Sequence, residues 1–345
     1  MTSTSGGDAP LTYKSSGVDL DAAIDVKGRI ADLVATSHGP EVLEGIGSFG
    51  AMYQLGQYRE PILVSSTDGV GTKLKIASMI GRFDTIGKDL VNLCVNDIIV
   101  TGARPLFFLD YIAVGSLKPN LVEDIVSGMV EACNAVGCAL IGGETAQMPG
   151  VYEDGELDLA GFVVGALEKN SIKDISQIKE SDLLVGIPSS GLHTNGYSLV
   201  RQALKIDENP SILEEFFAEI NGTIADALLV PHRSYYNTLA PLFSAFKAAA
   251  HITGGGLPEN IPRVLPKDLS ARIDTTTWNR PTIMSLIQNM GNINLEEMYR
   301  VFNMGLGMVL VCEPSAADEA IKEISGACVI GEIIKTEEDE RVSLI

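Results

Sequence analysis

The order of apolar segments in the first half of the chain constrains its fold more than any other feature. Pro61-Ile62-Leu63-Val64 is a short, continuous apolar run of strand length. Residues 84–101 place Ile86, Leu90, Leu93 and Cys94 at helical spacing, with Asp84 as a start signal and Gly102 and Pro105 as a stop. Residues 107–114 read as a strand, 121–136 as a second helix stopped at Gly137, and 138–141 and 159–167 as further strands. Strand, helix, strand, helix, strand, strand suits a mixed sheet with helices on one face, an α+β sandwich.

The chain has 345 residues, enough for two domains, and the polar stretch 169–182 divides it into 1–170 and 171–345. The second half repeats the α+β pattern. Strands are expected at 183–187, 248–253, 271–275, 308–312 and 329–334. Helices are expected at 197–205, from 281, from 295 and at 315–325, with a long helical region near 224–247 interrupted by Pro231 and Pro241. An amphipathic helix within 13–36 carries Ile24, Ile30 and Val34. No apolar run approaches the roughly 18–20 residues of a membrane span. Residues 1–10 are small and polar, unlike a signal peptide, and are expected to fray.

A formal net charge of −20 argues against a non-specific nucleic-acid or anionic-membrane surface. An anionic substrate then needs local devices. Cys94, Cys133, Cys138, Cys312 and Cys328 are odd in number, lie in apolar runs and form no CxxC, so they read as reduced core residues of a cytoplasmic protein.

Several acids stand where a core would not place them. Ser65-Ser66-Thr67-Asp68-Gly69-Val70-Gly71-Thr72-Lys73 follows the first strand and puts Asp68 just past its end. Its glycines admit close approach of a ligand, and Lys73 adds a point charge, as binding a metal-complexed polyphosphate requires. The Walker A spacing is missing. Asp97 interrupts the apolar stripe of its helix, which calls for a bound cation or a basic partner. Asp110 alternates with Phe108 and Ile112 and so points at an apolar face. Glu144, after Gly142-Gly143, repeats the arrangement of Asp68. The small-residue loop 188–196 leaves a strand and opens a helix, an anion site by geometry, to which Ser190, His193 and Asn195 can add donors. Gly45-Ile46-Gly47-Ser48-Phe49-Gly50 has the glycine density of a flap, and Trp278 reads as packing.

Four segments occur together in order: Thr67-Asp68-Gly69-Val70-Gly71-Thr72-Lys73, Val95-Asn96-Asp97, Gly142-Gly143-Glu144-Thr145-Ala146-Gln147-Met148-Pro149, and Ser190-Gly191-Leu192-His193-Thr194-Asn195-Gly196-Tyr197-Ser198. With Thr253-Gly254-Gly255-Gly256 and Glu297-Met298-Tyr299-Arg300, they resemble the phosphoribosylformylglycinamidine cyclo-ligase (AIR synthetase) family from about Tyr13 onward. The resemblance implies two α/β sandwich domains and a homodimer whose N-terminal mixed sheets pair into a barrel. It implies ATP and Mg²⁺, with Asp68, Asp97 and Glu144 as metal ligands converging on one site. It implies Gly47, Gly69, Gly71, Thr72, Lys73 and Asn96 around the nucleotide, and Asp68, Lys73 and Asp97 in catalysis. The second domain would hold the ribonucleotide through Ser190, His193 and Asn195. Gln147 departs from the family pattern, which usually has a second Glu there.

The implied reaction is ATP-driven closure of formylglycinamidine ribonucleotide to aminoimidazole ribonucleotide in purine biosynthesis. Competing readings are a selenophosphate synthetase, a thiamine-phosphate kinase, and a nucleotide-binding regulator without activity. The first should carry a reactive cysteine near the N-terminus, whereas the first cysteine here is Cys94. The last is disfavoured by the intact Asp68, Lys73, Asp97 and Glu144.

Overall fold

The computed structural model describes residues 11–47, 49–336 and 340–345. The segment 1–10, expected to fray, and Ser48 of the expected flap lie outside the described residues. Helix α1 (Leu20–Ala35) starts at Asp19, whose side chain accepts the N–H groups of Asp21 and Ala22. Val26, Ile30 and Val34 sit at four-residue spacing and form its inner stripe. Ile24 lies two residues ahead of Val26, so it points away and is 70% exposed, against expectation.

The first sheet contains β1 (Pro61–Gly69), β2 (Arg104–Val114), β3 (Ala139–Gln147) and β4 (Leu157–Glu168), in the order β1-β4-β2-β3. Only β2 and β3 run parallel, so the sheet is mixed. Between β1 and β2 come α2 (Lys73–Ile80) and α3 (Ile86–Ile99), and α4 (Pro119–Val136) joins β2 to β3. Helices α3 and α4 cover one face of the sheet. They cross at Gly87 and Gly128, where a Cβ on Gly87 would come within 1.9 Å of the Ile125 carbonyl oxygen. The other face of this sheet exposes Leu63, Tyr111 and Phe162 (62, 38 and 39%).

The second sheet contains β5 (Leu183–Pro188), β6 (Phe246–His251), β7 (Leu269–Ile273), β8 (Leu306–Cys312), β9 (Cys328–Lys335) and β10 (Val342–Leu344). Its order is β6-β8-β5-β9-β7-β10, and only β7 and β10 are parallel. Helices α5 (Tyr197–Ala203), α6 (Thr282–Gly291), α7 (Leu295–Val301) and α8 (Pro314–Glu323) belong to this half. The long helical region near 224–247 is not formed. It holds only the short helices Ile224–Leu228 and Tyr236–Leu239 and a 3₁₀ turn, and β6 begins at Phe246. Residues 230–235 between them have no regular structure and dock on α3, as described below.

Cys94, Cys133, Cys138 and Cys312 are buried thiols, and Cys328 is partly covered. Trp278 packs on the core and donates its Nε1–H to the Met304 carbonyl. Among the described residues no helix is long and apolar enough to cross a membrane.

Candidate active site

One face of α3 is polar and meets the second half of the chain. Asp89, Asn92 and Asn96 recur at three- and four-residue spacing, so they share that face. Asp89 Oδ1 accepts the His232 N–H (2.7 Å) and Asn92 donates to the His232 carbonyl (2.7 Å). Asn96 donates to the Arg233 carbonyl (2.8 Å) and accepts the Tyr235 N–H (3.0 Å). Four backbone groups of the irregular segment 230–235 are thus satisfied by side chains of α3.

Lys73 completes this seam. Its Nζ lies 2.9 and 2.7 Å from the two Asp89 carboxylate oxygens and 2.8 Å from the Val230 carbonyl, and both ionic side chains are fully buried. Burial pulls the Lys73 ammonium down from its ordinary value and pushes the Asp89 carboxyl up, and their mutual attraction opposes both shifts. Two expectations are corrected here. Lys73 is not a mobile charge for phosphates, because Asp89 and the carbonyls consume its donors. Asn96 is likewise occupied by backbone of residues 233 and 235, not by a nucleotide.

Strand β1 presents Ser66 and Asp68 on its helix-facing side, since side chains two apart share a face. Ser66 Oγ–H donates to Asp97 Oδ2 (3.0 Å), and Asp97 Oδ1 lies 2.8 Å from His251 Nδ1 at the end of β6. Of the two remedies expected for Asp97, the basic partner is present. Burial, and then the Asp97 charge, push the Asp68 carboxyl above its ordinary value, while the Gly69 N–H opposes them. Two coupled carboxylates are therefore in place.

Glu144 does not join them. Asp68, Gly161, Asp110 and Gly143 stand in one cross-strand row. Three strand spacings, roughly 14 Å, separate its ends. Glu144 follows Gly143 and pairs with the exposed Tyr111, so it projects from the opposite face of the sheet. The expected convergence of Glu144 with Asp68 and Asp97 fails because Asp68 and Glu144 do not follow strand ends: both lie inside strands that continue through their glycines. Asp110 does face the helices. A Cβ on Gly143 would come within 2.2 Å of its Oδ1, and burial pushes its carboxyl up to about 7, with Glu144 a smaller contributor. Gln147, the residue that departs from the family pattern, accepts the Asp19 N–H and so anchors the start of α1.

Of the expected nucleotide glycines, Gly47 and Gly71 have positive φ (120° and 69°) with open space where a Cβ would be. Gly69 packs against the Leu159 carbonyl, and Thr72 shares a hydrogen bond with Ser198.

The loop after β5 holds the three expected substrate ligands differently. Ser190 Oγ–H donates to the Pro231 carbonyl, and the Ser190 N–H donates to His193 Nε2. His193 is buried, with φ 63°. Burial, then the charges of His251, Lys73 and Arg233, hold its pKa well below the ordinary histidine value. The expectation of His193 as a phosphate donor is therefore corrected: it is a neutral, enclosed imidazole. Asn195 lies beside Gly254. Next to it opens a cleft of about 360 Å³ lined by Gly196, Gly254, Gly255, Glu259, Glu297 and Arg300. Arg300, His232 and His251 were not singled out from sequence as site residues. The one available signal was His251, a polar residue closing the apolar run Ala248-Ala249-Ala250.

Two α+β halves, with paired acids where they meet, define the class. The model of the AIR synthase related protein N-terminal domain matches residues 50–167, and that of the C-terminal domain matches 179–343. The chain is 48% identical to the phosphoribosylformylglycinamidine cyclo-ligase of Thermoanaerobacter pseudethanolicus, over 95% of this chain and 98% of that one. It is 50% identical to the enzyme of the same name from Carboxydothermus hydrogenoformans, over 94% and 96%. The chain belongs to the phosphoribosylformylglycinamidine cyclo-ligase family and is a ligase. Two solved structures share the fold at low identity. Thiamine-monophosphate kinase from Stenotrophomonas maltophilia has a TM-score of 0.64 at 14% identity, covering 92% of this chain and 95% of that one. Hydrogenase maturation protein HypE in complex with ATP has 0.67 at 16%, covering 95% and 92%.

Proposed function

We propose that the chain catalyses ATP-dependent ring closure of formylglycinamidine ribonucleotide to aminoimidazole ribonucleotide, releasing ADP and phosphate, in purine biosynthesis in the cytoplasm. The observation that carries this reading is the identity to named cyclo-ligases along nearly the whole chain. An amide oxygen is a poor leaving group. Transfer of the γ-phosphoryl group to it, with loss of the amide N–H proton, gives an iminophosphate and ADP. The neighbouring amidine nitrogen then attacks that carbon, phosphate departs with the former amide oxygen, and the nitrogen loses a proton. The protein needs chiefly to align reactants and balance phosphate charge.

Asp68 and Asp97 fit a Mg²⁺ site. They are hard oxygen donors, and the raised Asp68 carboxyl marks two acids that a cation would relieve. When bound, the ion would neutralise polyphosphate charge. Gly47, Gly69, Gly71 and Thr72 offer backbone to the nucleotide. In this reading 1–170 is the nucleotide and dimerisation domain, and 171–345 supplies the ribonucleotide site. Asn195, the backbone of Gly254 and Gly255, and Arg300 suit the phosphate end, and Glu259 and Glu297 suit ribose hydroxyls.

The exposed apolar face bearing Leu63, Tyr111 and Phe162 supports a homodimer with facing sheets closing into a barrel. A dimer is the expected species in sedimentation at micromolar concentration. A monomer there contradicts the pairing. The catalytic reading is tested by ADP release. It should require the formylglycinamidine ribonucleotide and match product one to one. ADP release independent of that ribonucleotide, or dependent on thiamine phosphate instead, would defeat it.

A further inference from the structure

Three imidazoles from three distant segments, His193, His232 and His251, meet at the seam between the two halves, with ring nitrogens within 4.8 Å of one another. All three are buried. His251 Nδ1 lies 2.8 Å from Asp97 Oδ1. His232 Nε2 lies 3.1 Å from His251 Nε2, and Thr194 Oγ1 lies 3.4 Å from His232 Nδ1. His193 stacks on His232 with ring centroids 3.8 Å apart.

A carboxylate only accepts, so His251 carries a hydrogen on Nδ1. The Nε2–Nε2 contact holds one hydrogen between the two rings. Burial, with the charges around it, keeps His232 neutral, so one of its ring nitrogens donates and the other accepts. A metal ion shared by the three rings fits less well. The Ser190 N–H already donates to His193 Nε2, which puts the hydrogen on Nδ1, the atom an ion would need. The Lys73 ammonium also lies 3.4 Å from the His193 carbonyl.

We propose that His232 is a positioning residue of the acidic site: its Nε2–H fixes the tautomer and ring angle of His251, which in turn holds the Asp97 carboxylate beside Asp68. Partners of this outer kind usually matter 10- to 100-fold to a site. The proposal rests on the reading of Asp97 given above. It goes beyond that reading by assigning a role to a residue that touches neither acid.

The backbone of residue 232 is held by Asp89 and Asn92 whatever its side chain, so His232→Leu and His232→Gln keep the seam. The chain has four histidines, few enough to assign each by substitution in spectra of protein labelled with ¹⁵N-histidine. In the unmodified protein, long-range ¹H–¹⁵N spectra should show His251 with hydrogen on Nδ1 only. In His232→Leu that signature should give way to mixed tautomers, with kcat lowered about 10- to 100-fold and both KM values within about twofold. His232→Gln, whose amide N–H can still donate, should restore most of kcat. Several results overturn the proposal: His251 with hydrogen on Nε2 in the unmodified protein, His232→Leu with full kcat, or a stoichiometric transition metal in the purified protein. Should His232→Leu fail to fold, the spectrum of the unmodified protein and the rate of His232→Gln decide. Full activity of Asp97→Asn would instead remove the underlying reading. An inactive Asp97→Asn beside a fully active His232→Leu removes this inference alone.

Discussion

Asp97→Asn should lower turnover by at least about 100-fold, the scale on which single preorganised electrostatic groups act, while stability changes by roughly 1–2 kcal/mol. The two effects separate because they draw on different properties of the same side chain. Asn keeps the shape, and its amide oxygen can accept from either Ser66 or His251, so much of the packing around α3 survives. What it loses is the negative charge. That charge is coupled to Asp68 and, in the proposed reaction, balances a cation carrying polyphosphate. Steady-state kinetics and thermal denaturation of the same preparation read both quantities. A variant retaining more than half of the turnover, or one that fails to fold, contradicts the assignment of Asp97 to chemistry.

The second large effect is on stability and depends on pH. The Asp110 carboxyl titrates near 7 in the folded protein, against an ordinary value of 3.8. Between these values the unfolded chain has already released a proton that the folded chain keeps. Stability therefore falls as pH rises, by roughly 1.4 kcal/mol per unit for this group alone. The loss is complete above about pH 7, where both states are ionised. Asp110→Asn keeps the shape and removes the titration. Its stability relative to the unmodified protein should rise by roughly 4 kcal/mol between pH 4 and pH 8. Denaturant unfolding at a series of pH values measures this directly. A difference that stays constant across the range would show that Asp110 titrates normally.

What the sequence made legible and what it hid follow from where the information resides. The strands of both sheets other than β10, and α3 and α4, were readable because apolar runs and helical spacing are local; the three-residue β10 is too short to leave such a signal. The ends of β1 and β3 were not. Ser65 to Gly69 and Gly142 to Gln147 remain strand because β4 and β2 satisfy their backbone groups, whatever their side chains. That single error moved Glu144 to the wrong face. The helix expected across 230–235 was lost in the same way. Pro231 interrupts it, and Asp89, Asn92 and Asn96 offer the segment better partners. Lys73 looked free because its partner lies 16 residues away on another helix. Asp97 was readable as an anomaly, a carboxylate in an apolar stripe, but His251 lies 154 residues further on and could not be paired with it. The family, by contrast, was legible because its motifs recur in order along the whole chain.

In the proposed reaction the formyl amide oxygen of the ribonucleotide accepts the phosphoryl group and later leaves with it. Formylglycinamidine ribonucleotide labelled with ¹⁸O at that oxygen tests it most directly. With unlabelled ATP and water, mass spectrometry of the released phosphate should find one ¹⁸O per phosphate and none in the ADP. Unlabelled phosphate, with the ¹⁸O found in water, would mean that the ring closes by loss of water and that ATP hydrolysis is separate from the bond being formed.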